Sequence, residues 1–170
     1  LQQRAVPAAI GAQHAQGAAQ KRADGNGDDG HHDVHTDAVQ ALGRINFTRE
    51  ALGVDFITVS SHKLGGPQGV GALIMAPKAP LPKLLQGGGQ ERRQRAGTEN
   101  VAGIAGFGRA ITLATASLND YQQRCAALRD RVETHLNKSG NHVVIHGQGA
   151  ARVANTTSFS VNGTTSETLL

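Results

Sequence analysis

Two textures divide this chain. Residues 1–36 are dominated by Ala, Gln, Gly and His, and "DGNGDDGHHD" shows neither a helical nor a strand period. The early stretch "AVPAAIGAQHAQGAAQKRA" is compatible with a helix, since Ala and Gln have little cost in that conformation, but the segment as a whole reads as disordered or marginally structured. From His35 onward, short apolar runs separated by glycine clusters take over.

Those runs predict an alternation of strands and helices. "VDFITVS" at 54–60 is rich in β-branched residues and reads as a strand, and "GVGALIMA" at 69–76 reads as another. "SHKLGGPQ" between them is a loop marked by Gly65, Gly66 and Pro67, and a loop between two buried strands is where α/β proteins often place their chemistry. Thr98 is the expected N-cap of a helix running to about Ser117. A second helix is expected over about 119–138, opened by Asn119 and closed near Gly140. Its Tyr121, Cys125, Leu128, Val132 and Leu136 recur at helical spacing, which predicts a stripe facing a core. "HVVIH" at 142–146 and "TTSFSV" at 156–161 predict two more short strands, and a helix starts in "TSETLL". No internal repeat is visible.

Composition narrows the picture. The 170 residues suit one domain or part of a larger one. With 38% hydrophobic residues, 3% aromatics and 22 glycines, the expected core is thin, aliphatic and dependent on tight turns. Lys and Arg exceed Asp and Glu by 17 to 13, a net charge of +4. The basic residues are scattered apart from Arg92, Arg93 and Arg95, and no aromatics interleave them as single-stranded nucleic acid would require; no nucleic-acid partner is expected. The single cysteine, Cys125, excludes an internal disulfide. No charged-then-apolar leader opens the sequence, so a cytoplasmic address is expected, and no apolar run reaches the ~18 residues that span a bilayer, so a soluble protein without a membrane partner is expected.

Four segments, in this order and at these separations, resemble the cysteine desulfurases of the class V aminotransferase family: "HTDAVQALGR" at 35–44, "VDFITVSSHKLGGPQGVGAL" at 54–73, "GGGQERRQRAGTENV" at 87–101 and "GFGRA" at 106–110. The resemblance covers about residues 35–170. It implies a pyridoxal 5'-phosphate cofactor and an α/β fold: part of the large domain of a fold-type I enzyme, a mostly parallel sheet flanked by helices, plus the start of the small C-terminal domain. The implied divisions are an atypical segment at 1–34, disordered or frame-shifted, a partial cofactor domain at 35–115, and a linking helix with a partial small domain at 116–170.

The resemblance also assigns roles. Lys63 in "SSHK" matches the lysine that forms an imine with the cofactor aldehyde; a nucleophilic lysine needs a lowered pKa, which burial in a pocket supplies. Its plain alternative is a solvated loop lysine. Asp37 matches the carboxylate paired with the pyridine nitrogen, or else it caps a turn. Gln40 matches the residue that hydrogen-bonds the phenolic oxygen, against an ordinary exposed polar side chain. Ser60 and His62 match phosphate-binding positions, and both side chains can donate to phosphate oxygens; His62 also has a plain reading as a turn histidine. Ser61 stands where the family often has Gly or Ala. Thr98 in "RAGTEN" matches a residue donated to the phosphate of a neighbouring subunit, which implies a homodimer, and the predicted helix start behind it offers free N–H groups to an anion. Arg95 is a candidate to orient that loop or attract an anion.

Other features carry less. Gly65, Gly66, Gly69 and Gly71 fit no Walker or dinucleotide pattern and read as turn glycines. "HHDVH" at 31–35 is metal-capable but lacks a matching cluster, so no specific metal site is expected. Cys125 lies on the apolar stripe and reads as a packing residue.

The implied activity of a complete relative is conversion of L-cysteine to L-alanine, with sulfur passed as an enzyme persulfide to an iron–sulfur scaffold or another acceptor protein. The family's mobile cysteine and carboxylate-binding arginine are expected beyond Leu170, and its upstream phosphate loop and ring-stacking histidine before the matching region. The expectation is a chain inactive alone, with unpaired strand edges and uncovered apolar helix faces. The rivals are a selenocysteine lyase or other class V enzyme, a non-catalytic remnant that binds cofactor or a full-length subunit, and a basic His-rich binding module centred on residues 1–36.

Overall fold

The computed structural model describes residues 33–169 apart from 78, 84, 140 and 141. The readings of residues 1–32, the helix-compatible stretch and most of the His-rich run among them, lie outside the described residues.

Three strands form the first sheet: β1 (His35–Asp37), β2 (Phe56–Ser60) and β3 (Gly71–Met75), in the order β1-β2-β3. β1 pairs parallel to β2 with Asp37 opposite Thr58, and β3 returns antiparallel with Gly71 opposite Ser60 and Met75 opposite Phe56. Because β1 and β2 run the same way, both end at one rim of the sheet. The connection between them holds one helical turn, α1 (Arg49–Leu52), which Thr48 opens by accepting a hydrogen bond from the Ala51 N–H and Gly53 closes at φ 63°. Four residues are too few to show a period in the sequence.

The two long helices are α2 (Val101–Ala116) and α3 (Leu118–Lys138). A second sheet pairs β4 (Val143–His146) antiparallel with β5 (Ser158–Val161), and α4 (Ser166–Leu169) follows. The strands and helices expected among the described residues are therefore present, with ends that coincide or shift by one or two residues. The N-cap of α2 is a correction: the Asn100 side chain, not that of Thr98, accepts the Gly103 N–H at 3.0 Å. Both residue types cap well, and the helix starts where the chain turns after Glu99, two residues past Thr98.

The core is small and mainly aliphatic, as the composition implies. Ala38, Val54, Ile57, Val59 and Phe107 form its buried cluster, so one face of β2 packs against α2. On α3 the expectation fails. Leu128 and Val132 are 58% and 53% exposed, while the buried residues of that helix are Leu118 and Glu133. Tyr121, Cys125 and Leu136 are half-buried, so Cys125 is less enclosed than its place on the stripe suggests. Helical spacing reports an apolar face; it does not say that the described residues supply the cover. Leu73 and Ile74 of β3, and Val101, Ile104 and Leu113 of α2, are likewise exposed, which matches the expectation of uncovered apolar faces.

The Glu133 burial has a cause 19 residues away. Arg152 grips its carboxylate with both terminal nitrogens, at 2.6 and 2.8 Å, and the Thr157 hydroxyl donates at 2.9 Å. Arg129 adds a bond to the Val153 carbonyl at 3.5 Å. Together they tie α3 to the segment between β4 and β5.

Candidate functional site

Alternation along β2 sorts its side chains between two faces. Ile57 and Val59 enter the core, while Phe56, Thr58 and Ser60 occupy the opposite, half-buried face. Register places Asp37 beside Thr58 on that second face, and His35 joins it through a 3.1 Å contact between its Nε2 and the Thr58 hydroxyl. Carboxylate, hydroxyls and imidazole thus share the open face near the ends of two parallel strands, the part of an open α/β sheet where ligands bind.

Directly after Ser60 the chain turns through a single 3-10 helix, Ser61–Leu64, closed by Gly65 at φ 77°. Lys63 lies on that turn and is exposed. His62 folds back so that its Nδ1 lies 2.8 Å from the Ser60 hydroxyl. Ser60, His62 and Lys63 are therefore one local unit. The pocket burial expected for the lysine is not supplied by the described residues, because the turn stands on the open rim.

The turn is held from below by close packing. Ser61 is fully buried; its N–H donates to the Val70 carbonyl at 3.0 Å, and its carbonyl accepts the Gly66 N–H at 3.1 Å. A side chain at Gly66 would strike the Ser61 hydroxyl and come within 3.1 Å of Ala110 Cβ on α2. One turn earlier on that helix, a side chain at Gly106 would lie 2.7 Å from Pro67 Cγ. Small residues on α2 thus let the lysine loop lie directly against the helix. The Ser61 hydroxyl itself, buried here, has no hydrogen-bond partner among the described residues. It lies against Gly66.

Asp37 both ends β1 and orders the next turn: its Oδ1 accepts the Val39 N–H at 2.9 Å. The turn-capping reading is thus observed, and it leaves the carboxylate exposed at the rim. Gln40 sits exposed in the same turn. Thr98 is exposed in the loop before α2, and Arg95 reaches forward to the Gly97 carbonyl at 3.4 Å, consistent with the role of orienting that loop. No hydrogen bond among the described residues joins Thr98 to the Lys63 turn.

Arg44 was not singled out by sequence. Its guanidinium reaches the carbonyls of Val39 and Lys63, at 3.5 and 3.4 Å, and its own carbonyl accepts from Gln122 of α3 at 2.7 Å. Only its position inside the "HTDAVQALGR" segment hinted at a link to the site.

Two concavities lie elsewhere. One groove runs along Leu128, Val132 and Leu136 of α3, and another lies between Lys83 and Arg93 near Gly87 and Gly88. The chemistry-bearing groups stand on open surface.

Residues present at the rim fit a pyridoxal phosphate. An exposed primary amine suits an aldehyde, the adjacent hydroxyl–imidazole pair suits a phosphate, and an exposed carboxylate on the parallel strand suits a ring nitrogen.

Comparison with known proteins agrees. The sequence model described as aminotransferase class-V matches residues 29–170. A cysteine desulfurase of Bradyrhizobium diazoefficiens is 44% identical over 126 residues, covering 74% of this chain and 32% of that protein. Cysteine desulfurase IscS of Dictyoglomus turgidum is 41% identical over 136 residues, covering 80% and 34%. The solved structure of a NifS-like protein from Rickettsia africae superposes with a TM-score of 0.75 at 40% identity, covering 80% of this chain and 38% of that one. The chain thus spans about a third of the length of the curated relatives it matches.

Proposed function

This chain belongs to the aminotransferase class-V family, and from that membership we propose that it carries the cofactor-anchoring segment of a cysteine desulfurase. The fold is that of the fold-type I pyridoxal phosphate enzymes, and the family depends on that cofactor. The observation that carries the reading is the local unit at the rim: Lys63 shares one turn with the hydrogen-bonded Ser60–His62 pair, beside Asp37 on the parallel strand.

In this reading Lys63 presents its amine to the cofactor aldehyde and afterwards carries protons to and from the substrate. The Ser60 hydroxyl and His62 imidazole hold the phosphate as donors. Asp37, kept in place by its bond from the Val39 N–H, pairs with the ring nitrogen and keeps it protonated. Gln40 donates its amide to the phenolic oxygen. Thr98 adds a hydroxyl to the phosphate of a neighbouring subunit, which makes the assembly a homodimer. When bound, pyridoxal phosphate supplies an electron sink that labilises bonds around the amino acid's Cα and Cβ. In the complete enzyme the substrate is L-cysteine: its C–S bond breaks as the sulfur bonds to a cysteine thiolate supplied from outside this segment, Cβ takes up a proton to give L-alanine, and the resulting persulfide passes its outer sulfur to an iron–sulfur scaffold or other acceptor in the cytoplasm. Relatives named as cysteine desulfurase and IscS support this choice of reaction.

The test is chemical. Pyridoxal phosphate is added to the purified chain, the visible absorbance recorded, the product reduced with borohydride, and the modified residue located by mass spectrometry, with Lys63→Ala as control. A pyridoxyl group on Lys63 that is lost in the variant is the expected result. Modification scattered over surface lysines, unchanged by Lys63→Ala, would sink the proposal.

A further inference from the structure

We infer that Arg44 is a positioning residue that locks the Lys63 turn to the Asp37–Gln40 turn; the inference rests on the reading of Lys63 as the cofactor-bearing lysine. The long, flexible stem of a lysine begins at a main chain that must be fixed if its amine is to return to one place. The 3-10 turn that carries Lys63 is only four residues long, so its restraint has to come from outside.

Packing of Ser61 and Gly66 against α2 holds the turn from below, and Arg44 adds a tie at the Lys63 carbonyl. One terminal nitrogen donates to the Lys63 carbonyl at 3.4 Å and the other to the Val39 carbonyl at 3.5 Å. Each bond lies near the outer limit of useful distance. Their strength is that one rigid, planar, permanently charged group makes both, so the two turns are held at a set separation. Val39 is also the residue whose N–H Asp37 accepts; the guanidinium and the carboxylate therefore restrain one peptide segment from its two sides. The turns also meet independently: a side chain at Gly43, where φ is 74°, would fall 2.8 Å from Leu64 Cδ2 and 3.1 Å from Ala114 Cβ. The backbone of Arg44 is in turn anchored by the Gln122 amide at 2.7 Å, from α3, 78 residues away. Through that bond the linking helix sets where the arginine stands.

Arg44→Met keeps most of the stem and removes the fork, Arg44→Lys keeps the charge as a single point, and Gln122→Ala releases the anchor. Hydrogen exchange on the cofactor-free chain reads the turn directly. Arg44→Met is expected to speed exchange over residues 61–66 about fivefold while the centre of α3 stays as in the unsubstituted chain. Pyridoxal phosphate capture at Lys63 is expected to weaken by a similar factor and the pH midpoint of its visible absorbance to move, with Arg44→Lys restoring part of both. If exchange over 61–66 is unchanged in Arg44→Met, or if the absorbance midpoint stays where it was, Arg44 does not position Lys63. Should the unsubstituted chain take no pyridoxyl group on Lys63, the cofactor reading fails, and with it the positioning role. Should Arg44→Met loosen α3 as well, Gln122→Ala decides: faster exchange confined to 38–44 and 61–66 supports the role, and none overturns it.

Discussion

Arg152 and Glu133 form a two-pronged ion pair, 2.6 and 2.8 Å, between a residue of the β4–β5 connection and a buried carboxylate on α3. The hydrogen bond from Arg152 and the one from Thr157 outweigh the effect of burial and hold the Glu133 carboxyl down to about 2, from an ordinary 4.5. A folded-state value below the unfolded one means that the unfolded chain takes up the proton first as pH falls. The stabilisation is therefore complete above about 4.5 and is lost between there and about 2. Unfolding midpoints in urea, followed across that range, are expected to fall with pH, and the slope to flatten in Glu133→Gln. An equal slope in both proteins would mean that another carboxylate governs acid stability.

The Ser61 hydroxyl is buried without a partner among the described residues, so removing it should relieve the desolvation of a polar group. Ser61→Ala is expected to stabilise the chain by about 1 kcal/mol, read as a higher urea midpoint. A loss of stability instead would show that the hydroxyl has a partner, such as an ordered water.

Gly66→Ala places a methyl group against that same hydroxyl and near Ala110. It is expected to destabilise by about 1–3 kcal/mol. Combined with Ser61→Ala, which removes the nearest obstructing atom, the cost should shrink by a measurable coupling, about 0.5 kcal/mol or more. Simple additivity in the double-mutant cycle would contradict the contact.

Asn100→Ala should cost about 1 kcal/mol through the lost N-cap, whereas Thr98→Ala should leave helix stability within about 0.5 kcal/mol. Thermal melts followed by circular dichroism separate the two. The reverse ranking would restore Thr98 as the cap.

Leu128→Gln and Val132→Gln test the exposed side of α3. At the observed exposure each should change stability by no more than about 0.5 kcal/mol; a loss of about 2–5 kcal/mol would mean that this stripe is covered in solution.

Local chemistry explains which features could be read in advance. β2 announced itself because Ile57, Thr58 and Val59 are β-branched, and its loop because Gly65, Gly66 and Pro67 are consecutive. The rim unit of Ser60, His62 and Lys63 was legible because it is contiguous in sequence. What escaped depends on distant partners. Glu133 looks like a solvent-facing helix residue until Arg152 folds onto it, and Arg44 looks like a surface cation until Gln122 arrives from 78 residues away. The roles of Asp37, Gln40 and Thr98 toward a ligand came from the family motif, whereas geometry fixes only the face or loop on which each stands.

The reversal of direction at β3 has a practical use. Since Met75 pairs with Phe56 and Ala76 bonds to Asp55, Ala76 stands at the opposite end of a five-residue strand from Ser60, about 17 Å away at the usual rise. A dye attached there would keep clear of the Lys63 turn yet remain within energy-transfer range of a visible chromophore on it, turning the length of one strand into an optical ruler for occupancy.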